Sequence, residues 1–117
     1  MQKSILLYEK LGYTCVGETM VDPIQNNMIA FLVSSDQMPK IELISPINRN
    51  STIFNFRDGY HHICYDVSDD PDYLRQFKIL KIGKVFTQPT IASAIDNRKV
   101  VFALLQNGNF VEFIVSR

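Results

Sequence analysis

Apolar side chains alternate with polar ones, or form short runs, along most of the chain, and turn-forming residues separate these segments. Helical spacing of apolar residues is limited to residues 2–11 and to a segment that begins at Asp70, has Pro71 at its first position and ends near Gly83. The remaining apolar segments predict strands at residues 14–21, 28–34, 40–45, 60–67, 84–88, 100–105 and 110–116. Between them the pattern predicts a turn at 36–39, a connector at 47–58, a loop at 89–98 and a hairpin turn at Asn107-Gly108.

The order of these elements repeats within the chain. Lys10-Leu-Gly12 and Ile29-Ala-Phe31 match Lys81-Ile-Gly83 and Val100-Val-Phe102 at one common offset, and Lys40-Ile-Glu-Leu-Ile44 matches Phe110-Val-Glu-Phe-Ile114 at an offset one residue shorter. The repeat predicts an α+β fold made of two βαβββ modules, each a curled sheet with its helix outside, around one concave site. One domain is expected over residues 1–117, with module one at 1–46, the connector at 47–58 and module two at 59–117.

The two modules are not equal. Module two opens with the strand at 60–67, and its counterpart in module one would fall before Met1. Module one is therefore predicted to lack its first strand, which leaves a sheet edge that must be covered or paired.

The strand at 60–67 is the best place for chemistry. Period-two alternation puts Ile63, Tyr65 and Val67 on the face under the following helix, and His62, Cys64 and Asp66 on the other. His62 is the candidate ligand, with a strand histidine bonded to a backbone carbonyl as the alternative. His61, on the apolar side, is predicted to be structural.

A glutamate interrupts the apolar third strand of each module. Glu42 lies between Ile41 and Leu43, and Glu112 lies between Val111 and Phe113. Singly these would be edge-strand charges that discourage aggregation, but their repeat-related positions favour a shared role. One imidazole and two carboxylates form a plausible ligand set for Mn, Fe, Co, Ni or Zn.

Charge and composition exclude several classes of function. The 12 basic and 12 acidic residues cancel, and no Lys/Arg cluster predicts a nucleic-acid partner. The apolar runs are far shorter than the roughly 20 residues that cross a bilayer, and no export signal precedes them. Cys15 and Cys64 form no metal-binding or redox motif, so the default is a cytoplasmic protein with two reduced thiols, although a disulfide stays open.

Three segments resemble the vicinal oxygen chelate superfamily, which includes glyoxalase I, bleomycin-resistance proteins and methylmalonyl-CoA epimerase. They are Gly59-Tyr-His-His-Ile-Cys-Tyr-Asp-Val67, Lys40-Ile-Glu-Leu-Ile-Ser-Pro46 and Gly108-Asn-Phe-Val-Glu-Phe-Ile114. The first two are most similar to the epimerase branch, and the resemblance extends over nearly the whole chain.

The resemblance implies a divalent metal, such as Co, Mn, Ni or Zn, held by His62, Glu42 and Glu112. The family's fourth ligand position, on the first strand of module one, has no counterpart here. The implied reaction is that of an epimerase, isomerase or lyase: the metal acts as a Lewis acid on a small carbonyl compound or acyl-CoA thioester while a carboxylate moves the neighbouring proton.

Further roles follow from the resemblance. Glu112 would be a ligand next to the proton path, with Glu18 as the opposing acid/base, although a surface charge is the alternative for Glu18. Cys64 is expected to line the substrate pocket, and Arg98 to meet an acyl or phosphate group unless it is a solvated loop arginine.

Three functions remain open at this point. Beside the metal enzyme stand a binding protein that has lost the metal and holds an aromatic or drug-like molecule, and a structural or regulatory domain of a larger polypeptide. Superfamily members often pair, and with the open sheet edge this makes a homodimer the expected assembly.

Overall fold

The computed structural model describes residues 1–34 and 39–117, so the predicted turn at 36–39 lies outside the described residues except for Pro39. The chain forms two compact units, Met1–Arg57 and Asp58–Arg117. The boundary falls at the end of the predicted connector, and the single-domain assignment stays a prediction. Among the described residues, neither helix has the length and apolar character of a membrane span.

The first unit is a helix followed by an antiparallel sheet. Its elements are α1 (Gln2–Lys10), β1 (Tyr13–Asp22), β2 (Asn27–Ser34) and β3 (Ile41–Pro46), with the strand order β1-β2-β3. Ile5 of α1 packs on Ala30 and Leu32 of β2, and Ile41 and Leu43 of β3 border the same cluster. These elements match the predicted ones to within one residue at most ends, and the described part of the unit begins with a helix, as predicted.

The second unit contains a mixed sheet. Its elements are β4 (Ile63–Asp66), α2 (Tyr73–Ile79), β5 (Gly83–Val85), β6 (Thr90–Ala92), a 3-10 turn (Ser93–Ile95), β7 (Arg98–Leu105) and β8 (Phe110–Ile114). The strand order is β4-β8-β7-β5, with β6 pairing on β7, and β4 runs parallel to β8. Phe77 of α2 packs on Val111 and Phe113 of β8, so α2 covers one face of the sheet.

The sheet register confirms the internal repeat. In the β2–β3 ladder, Phe31 lies opposite Glu42, and Ile29 lies opposite Ile44. In the β7–β8 ladder the repeat-related residues make the same pairs, with Phe102 opposite Glu112 and Val100 opposite Ile114. The two glutamates therefore occupy equivalent places in their sheets, and the predicted α+β modules with a glyoxalase-like arrangement are confirmed.

The predicted bounds of α2 are wrong at both ends. The helix begins at Tyr73 after successive turns in which the Tyr73 amide bonds the Asp70 carbonyl, so Pro71 is not its first residue. It ends at Ile79, because Lys81 takes a left-handed conformation with φ 54°. Gly83 instead starts β5, where a Cβ would overlap the Leu104 carbonyl oxygen.

Two other predictions also need correction. The strand expected at 84–88 is β5, which begins at Gly83 and ends at Val85, and the loop expected at 89–98 contains β6 and the 3-10 turn. The strand expected at 60–67 is only Ile63–Asp66. Its partner β8 begins at Phe110, in register with the residue before Ile63, so the segment from Tyr60 to His62 has little strand to pair with.

In the first unit a buried asparagine holds the connector against the β1–β2 turn. Asn27, which is 2% exposed, accepts a hydrogen bond from the Ser51 hydroxyl and donates one to the Thr52 hydroxyl at 3.2 Å. The Thr52 amide also bonds the Gln25 carbonyl at 3.1 Å. The connector is thus tied to the sheet through buried polar groups.

We expect Asn27→Ala to lower the free energy of unfolding by about 1–3 kcal/mol, because the Ser51 hydroxyl would stay buried without its acceptor. Urea denaturation of the variant measures this change. Asn55→Ala, at an exposed position of the same connector, is the control and should change stability by less than about 0.5 kcal/mol. Equal stability of the two variants would contradict the proposed anchoring.

Candidate metal centre

The candidate site in the second unit is built on Glu112, a carboxylate inside an otherwise apolar strand. Val111 and Phe113 point toward α2, so alternation puts Glu112 on the opposite face. β8 lies between β4 and β7, and Glu112 is only 3% exposed. A buried carboxylate needs a compensating partner, because removing its charge from water is costly.

His62 is that partner. Its Nε2 lies 3.2 Å from Oε1 of Glu112, and the two side chains are 6% and 4% exposed. The His62 ring also contacts Phe102, the residue opposite Glu112 in β7, edge-on at 5.6 Å between ring centroids. An imidazole and a carboxylate thus meet in an apolar setting on the sheet face away from α2.

His61 completes this cluster. Its Nδ1 lies 2.5 Å from Nδ1 of His62, and its ring stacks on Phe110 at 5.9 Å between centroids. Burial, and next the neighbouring His62, lower the pKa of His61, while the charge of Glu112 acts in the opposite direction. Alternation along the predicted strand had put His61 and His62 on opposite faces, and that expectation is wrong because both residues precede β4.

Glu42 belongs to the other unit and is described there. It is half-buried and lies opposite Phe31 in the β2–β3 ladder. Its neighbours Ile41 and Leu43 border the cluster around Ile5, so Glu42 is on the sheet face that α1 does not cover. Its place in a common site with His62 and Glu112 stays a prediction.

The donor set fits a metal chemically. The imidazole and carboxylate of the second unit suit divalent first-row metals, and a cation would balance the buried charge of Glu112. The alternative interpretation of Glu112, a solvent-exposed charge on an edge strand, is wrong, because β8 is flanked by β4 on one side and by β7 on the other.

Comparisons with known proteins agree with this architecture. The sequence profile of the Glyoxalase/Bleomycin resistance protein/Dioxygenase superfamily matches residues 1–102. The chain belongs to this superfamily. The resemblance found in the sequence is therefore confirmed. A search of proteins with curated descriptions found no match to the chain.

Two solved structures share the superfamily fold along the whole chain. Methylmalonyl-CoA epimerase from Mycobacterium tuberculosis is 21% identical with a TM-score of 0.79, over 99% of this chain and 80% of that one. A hypothetical protein from Bacillus halodurans C-125 is 22% identical with a TM-score of 0.81, over 100% of this chain and 86% of that one. At such identities the likeness establishes the fold alone.

Two further predicted site residues of this superfamily member are Glu18 of the first unit and Cys64 of the second. Glu18 is exposed, in the irregular part of β1 between Val16 and Met20 where the pairing register shifts. Cys64 is exposed and lies opposite Glu112 in the β4–β8 ladder, so it shares the Glu112 side of the sheet. The catalytic role of Glu18 and the pocket role of Cys64 stay predictions.

Arg98 is engaged within its own unit. Its guanidinium donates to Asp66 Oδ2 at 2.8 Å, to the Ser68 hydroxyl at 2.9 Å and to the Ser116 carbonyl at 2.9 Å. Hydrogen bonds from Ser68, then from Arg98, lower the pKa of Asp66 to about 2. The predicted contact of Arg98 with an acyl or phosphate group would have to compete with these bonds.

An apolar groove on the second unit was not predicted from the sequence. It has a volume of about 330 Å³ and is lined by Lys84, Phe86, Leu104 and Phe110. Phe86 meets Phe110 edge-on at 5.7 Å, and Phe110 stacks on His61, so the groove adjoins the histidine pair. The available signal was the position of Phe110 two residues before Glu112, which puts both on one sheet face.

We expect Ser68→Ala to raise the pKa of Asp66 from about 2 towards its ordinary 3.8, because the variant loses the side-chain hydrogen bond that lowers this pKa most. The depressed pKa stabilises the fold above about pH 4, and this contribution disappears as the pH falls from about 4 to 2. Carboxyl ¹³C shifts during a pH titration measure the pKa directly. Thr90→Ala, whose hydroxyl bonds the Gln88 carbonyl, is the control, and an unchanged Asp66 titration in Ser68→Ala would refute the assignment.

Proposed function

We propose that this superfamily member is a metal-dependent enzyme of the epimerase, isomerase or lyase type, which moves a proton next to the carbonyl of a small carbonyl compound or acyl-CoA thioester. The observation that carries the proposal is the buried His62–Glu112 pair, with 6% and 4% exposure, in contact with the Phe102 ring. A chain that needed only a stable sheet would place an apolar residue there.

His62 and Glu112 are the proposed metal ligands of the second unit, and Glu42 is the proposed third. Support for Glu42 comes from the repeat, since it pairs with Phe31 as Glu112 pairs with Phe102. When bound, a divalent cation such as Co²⁺, Mn²⁺, Ni²⁺ or Zn²⁺ supplies a Lewis acid for the carbonyl oxygen of a ligand.

The chain's own carboxylates would handle the proton. Glu112 is buried beside an imidazole, where a carboxylate can accept a proton from an adjacent carbon without competition from bulk water. Glu18 is the proposed opposing acid/base, on the ground of the superfamily resemblance. It is exposed and lies where the pairing register of β1 shifts, so a ligand can reach its carboxylate from solvent.

The groove lined by Lys84, Phe86, Leu104 and Phe110 supports an organic ligand of low molecular weight. Its volume of about 330 Å³ falls in the range of small-molecule pockets, and three of its four residues are apolar. Lys84 contributes mainly its aliphatic stem to this lining. Arg98 and Cys64 remain proposed substrate contacts.

The same groove favours a second candidate function. A protein that kept the aromatic lining but held no metal would bind an aromatic or drug-like molecule without chemistry, and the groove is apolar enough for that role. For either function the proposed assembly is a homodimer, supported by the position of β3 at the end of the order β1-β2-β3.

Calorimetric titration of the metal-stripped protein with Mn²⁺, Co²⁺, Ni²⁺ and Zn²⁺ tests the metal site. We expect saturable binding by the parent, and at least about 100-fold weaker binding by His62→Ala and Glu112→Gln. Substitution of a residue that only supports a ligand commonly lowers metal affinity roughly 10–100-fold, and loss of a ligand itself should lower the affinity further. Glu42→Gln should weaken binding similarly if Glu42 is the third ligand.

Glu9→Gln is the matched control, because it removes an exposed carboxylate of α1 and should leave the affinity unchanged. Circular dichroism establishes that each variant is folded. A folded parent that binds none of the four metals would refute the metal-dependent function and leave the binding protein as the better proposal.

Hydrogen–deuterium exchange at the carbon next to a carbonyl tests the reaction. We expect the metal-loaded parent to exchange this proton of a 2-substituted malonyl thioester in D₂O, as followed by ¹H NMR, and Glu112→Gln to slow the exchange at least about 100-fold. A metal-binding parent that neither exchanges this proton nor that of small 2-hydroxy carbonyl compounds would contradict proton transfer. Retained binding of such compounds without exchange would identify the binding function.

A further inference from the structure

His61 lies between an aromatic ring and the His62 imidazole. On one side it stacks on Phe110, with an angle of 13° between the ring planes. On the other side it meets His62 edge-on at 4.8 Å between centroids, and the two Nδ1 atoms are 2.5 Å apart. The two rings therefore touch through defined atoms rather than through general packing.

This contact links the protonation patterns of the two rings. Two ring nitrogens at hydrogen-bond distance need one N–H donor and one lone pair. Nε2 of His62 faces Oε1 of Glu112 at 3.2 Å, and an ionised carboxylate only accepts. With a proton on Nε2, a neutral His62 has its lone pair on Nδ1, and His61 must then donate from its own Nδ1.

We propose that His61 is a positioning residue that fixes the ring orientation of His62 through the Nδ1–Nδ1 hydrogen bond. The bond directs Nε2 of His62 toward Glu112. Histidine ligands of metals are commonly held through their second nitrogen by a neighbouring group, which raises the basicity of the ligating nitrogen. When Nε2 gives its lone pair to a metal, the Nδ1 proton belongs to His62 and His61 accepts it.

The part of the inference that concerns the metal rests on the proposed function, whereas the hydrogen bond in the metal-free protein does not. A purely structural His61 would act through its stack on Phe110 alone. Two substitutions separate these roles, because His61→Phe keeps an aromatic ring on Phe110 and loses the nitrogen, whereas His61→Asn loses the ring and keeps an amide near the Nδ1 position.

The first measurement is the tautomer of both rings in the metal-free protein, from long-range ¹H–¹⁵N correlation spectra at pH 8. We expect the proton of His62 on Nε2 and the proton of His61 on Nδ1. Any other pair of dominant tautomers in the parent would overturn the proposal, and this result needs no variant to fold.

In the variants, we expect His61→Asn to keep the ring orientation of His62 and His61→Phe to release it, seen as shifted or broadened His62 ring signals while the proton stays on Nε2 beside Glu112. Amide spectra of β8 report whether each variant keeps its sheet. His62 ring signals unchanged from the parent in a folded His61→Phe would overturn the proposal, because only the stack would then matter.

The second measurement is Zn²⁺ affinity by calorimetry. We expect His61→Phe to bind about 10–100-fold more weakly than the parent and His61→Asn to stay within a few-fold of it. Equal affinities of parent and His61→Phe would overturn the positioning role toward the metal. Failure of the parent to bind any of the four divalent metals would refute the proposed function, whereas the tautomer result would still decide the hydrogen bond.

Discussion

The burial of one carboxylate organises the second unit. Glu112 is 3% exposed in a strand that has neighbours on both sides, so neither water nor a sheet edge can solvate its charge. Its strand neighbours Val111 and Phe113 form the core with Phe77 of α2, and alternation then leaves Glu112 on the other face. His62 lies within hydrogen-bond reach of the Glu112 carboxylate and supplies the partner that a buried carboxylate needs. The separation of a helix-covered core from a face that carries the candidate site follows from that single placement.

The repeat extends this constraint to the first unit without making the two units equal. Phe31 and Glu42 reproduce the pair of Phe102 and Glu112, and the helices α1 and α2 cover the corresponding faces through Ile5 and Phe77. Glu42 is half-buried, however, and its strand ends the order β1-β2-β3, whereas β8 is flanked by β4. The same sequence motif thus gives a charge that solvent can partly screen in one unit and a charge that needs an internal partner in the other.

Local patterns predicted what local forces decide. Alternation gave β1, β2, β3, β7 and β8 to within two residues at their ends, and Asn107-Gly108 gave the hairpin, where Gly108 has φ 87°. Predictions failed where a contact distant in sequence decides the conformation. Gly83 resembles a residue that ends a helix, but its lack of a side chain lets the backbone of Leu104 approach closely.

Predictions of the candidate site were likewise limited to what local patterns determine. His62 and Glu112 were found from alternation and the repeat, while the His61–His62 contact was missed because alternation fails where the ladder has not begun.

The two proposed functions are two ways of balancing the charge of Glu112. In one, the Nε2 proton of His62 is hydrogen-bonded to the carboxylate, and the groove serves as an apolar pocket. A divalent cation replaces that proton, needs the neutral imidazole and adds a Lewis acid to the same apolar face. Superfamily membership cannot choose between them, because the fold is shared by proteins of different function. The choice depends on whether a third donor, for which Glu42 is the proposal, completes the ligand set, and this is a property of that set rather than of the sheet.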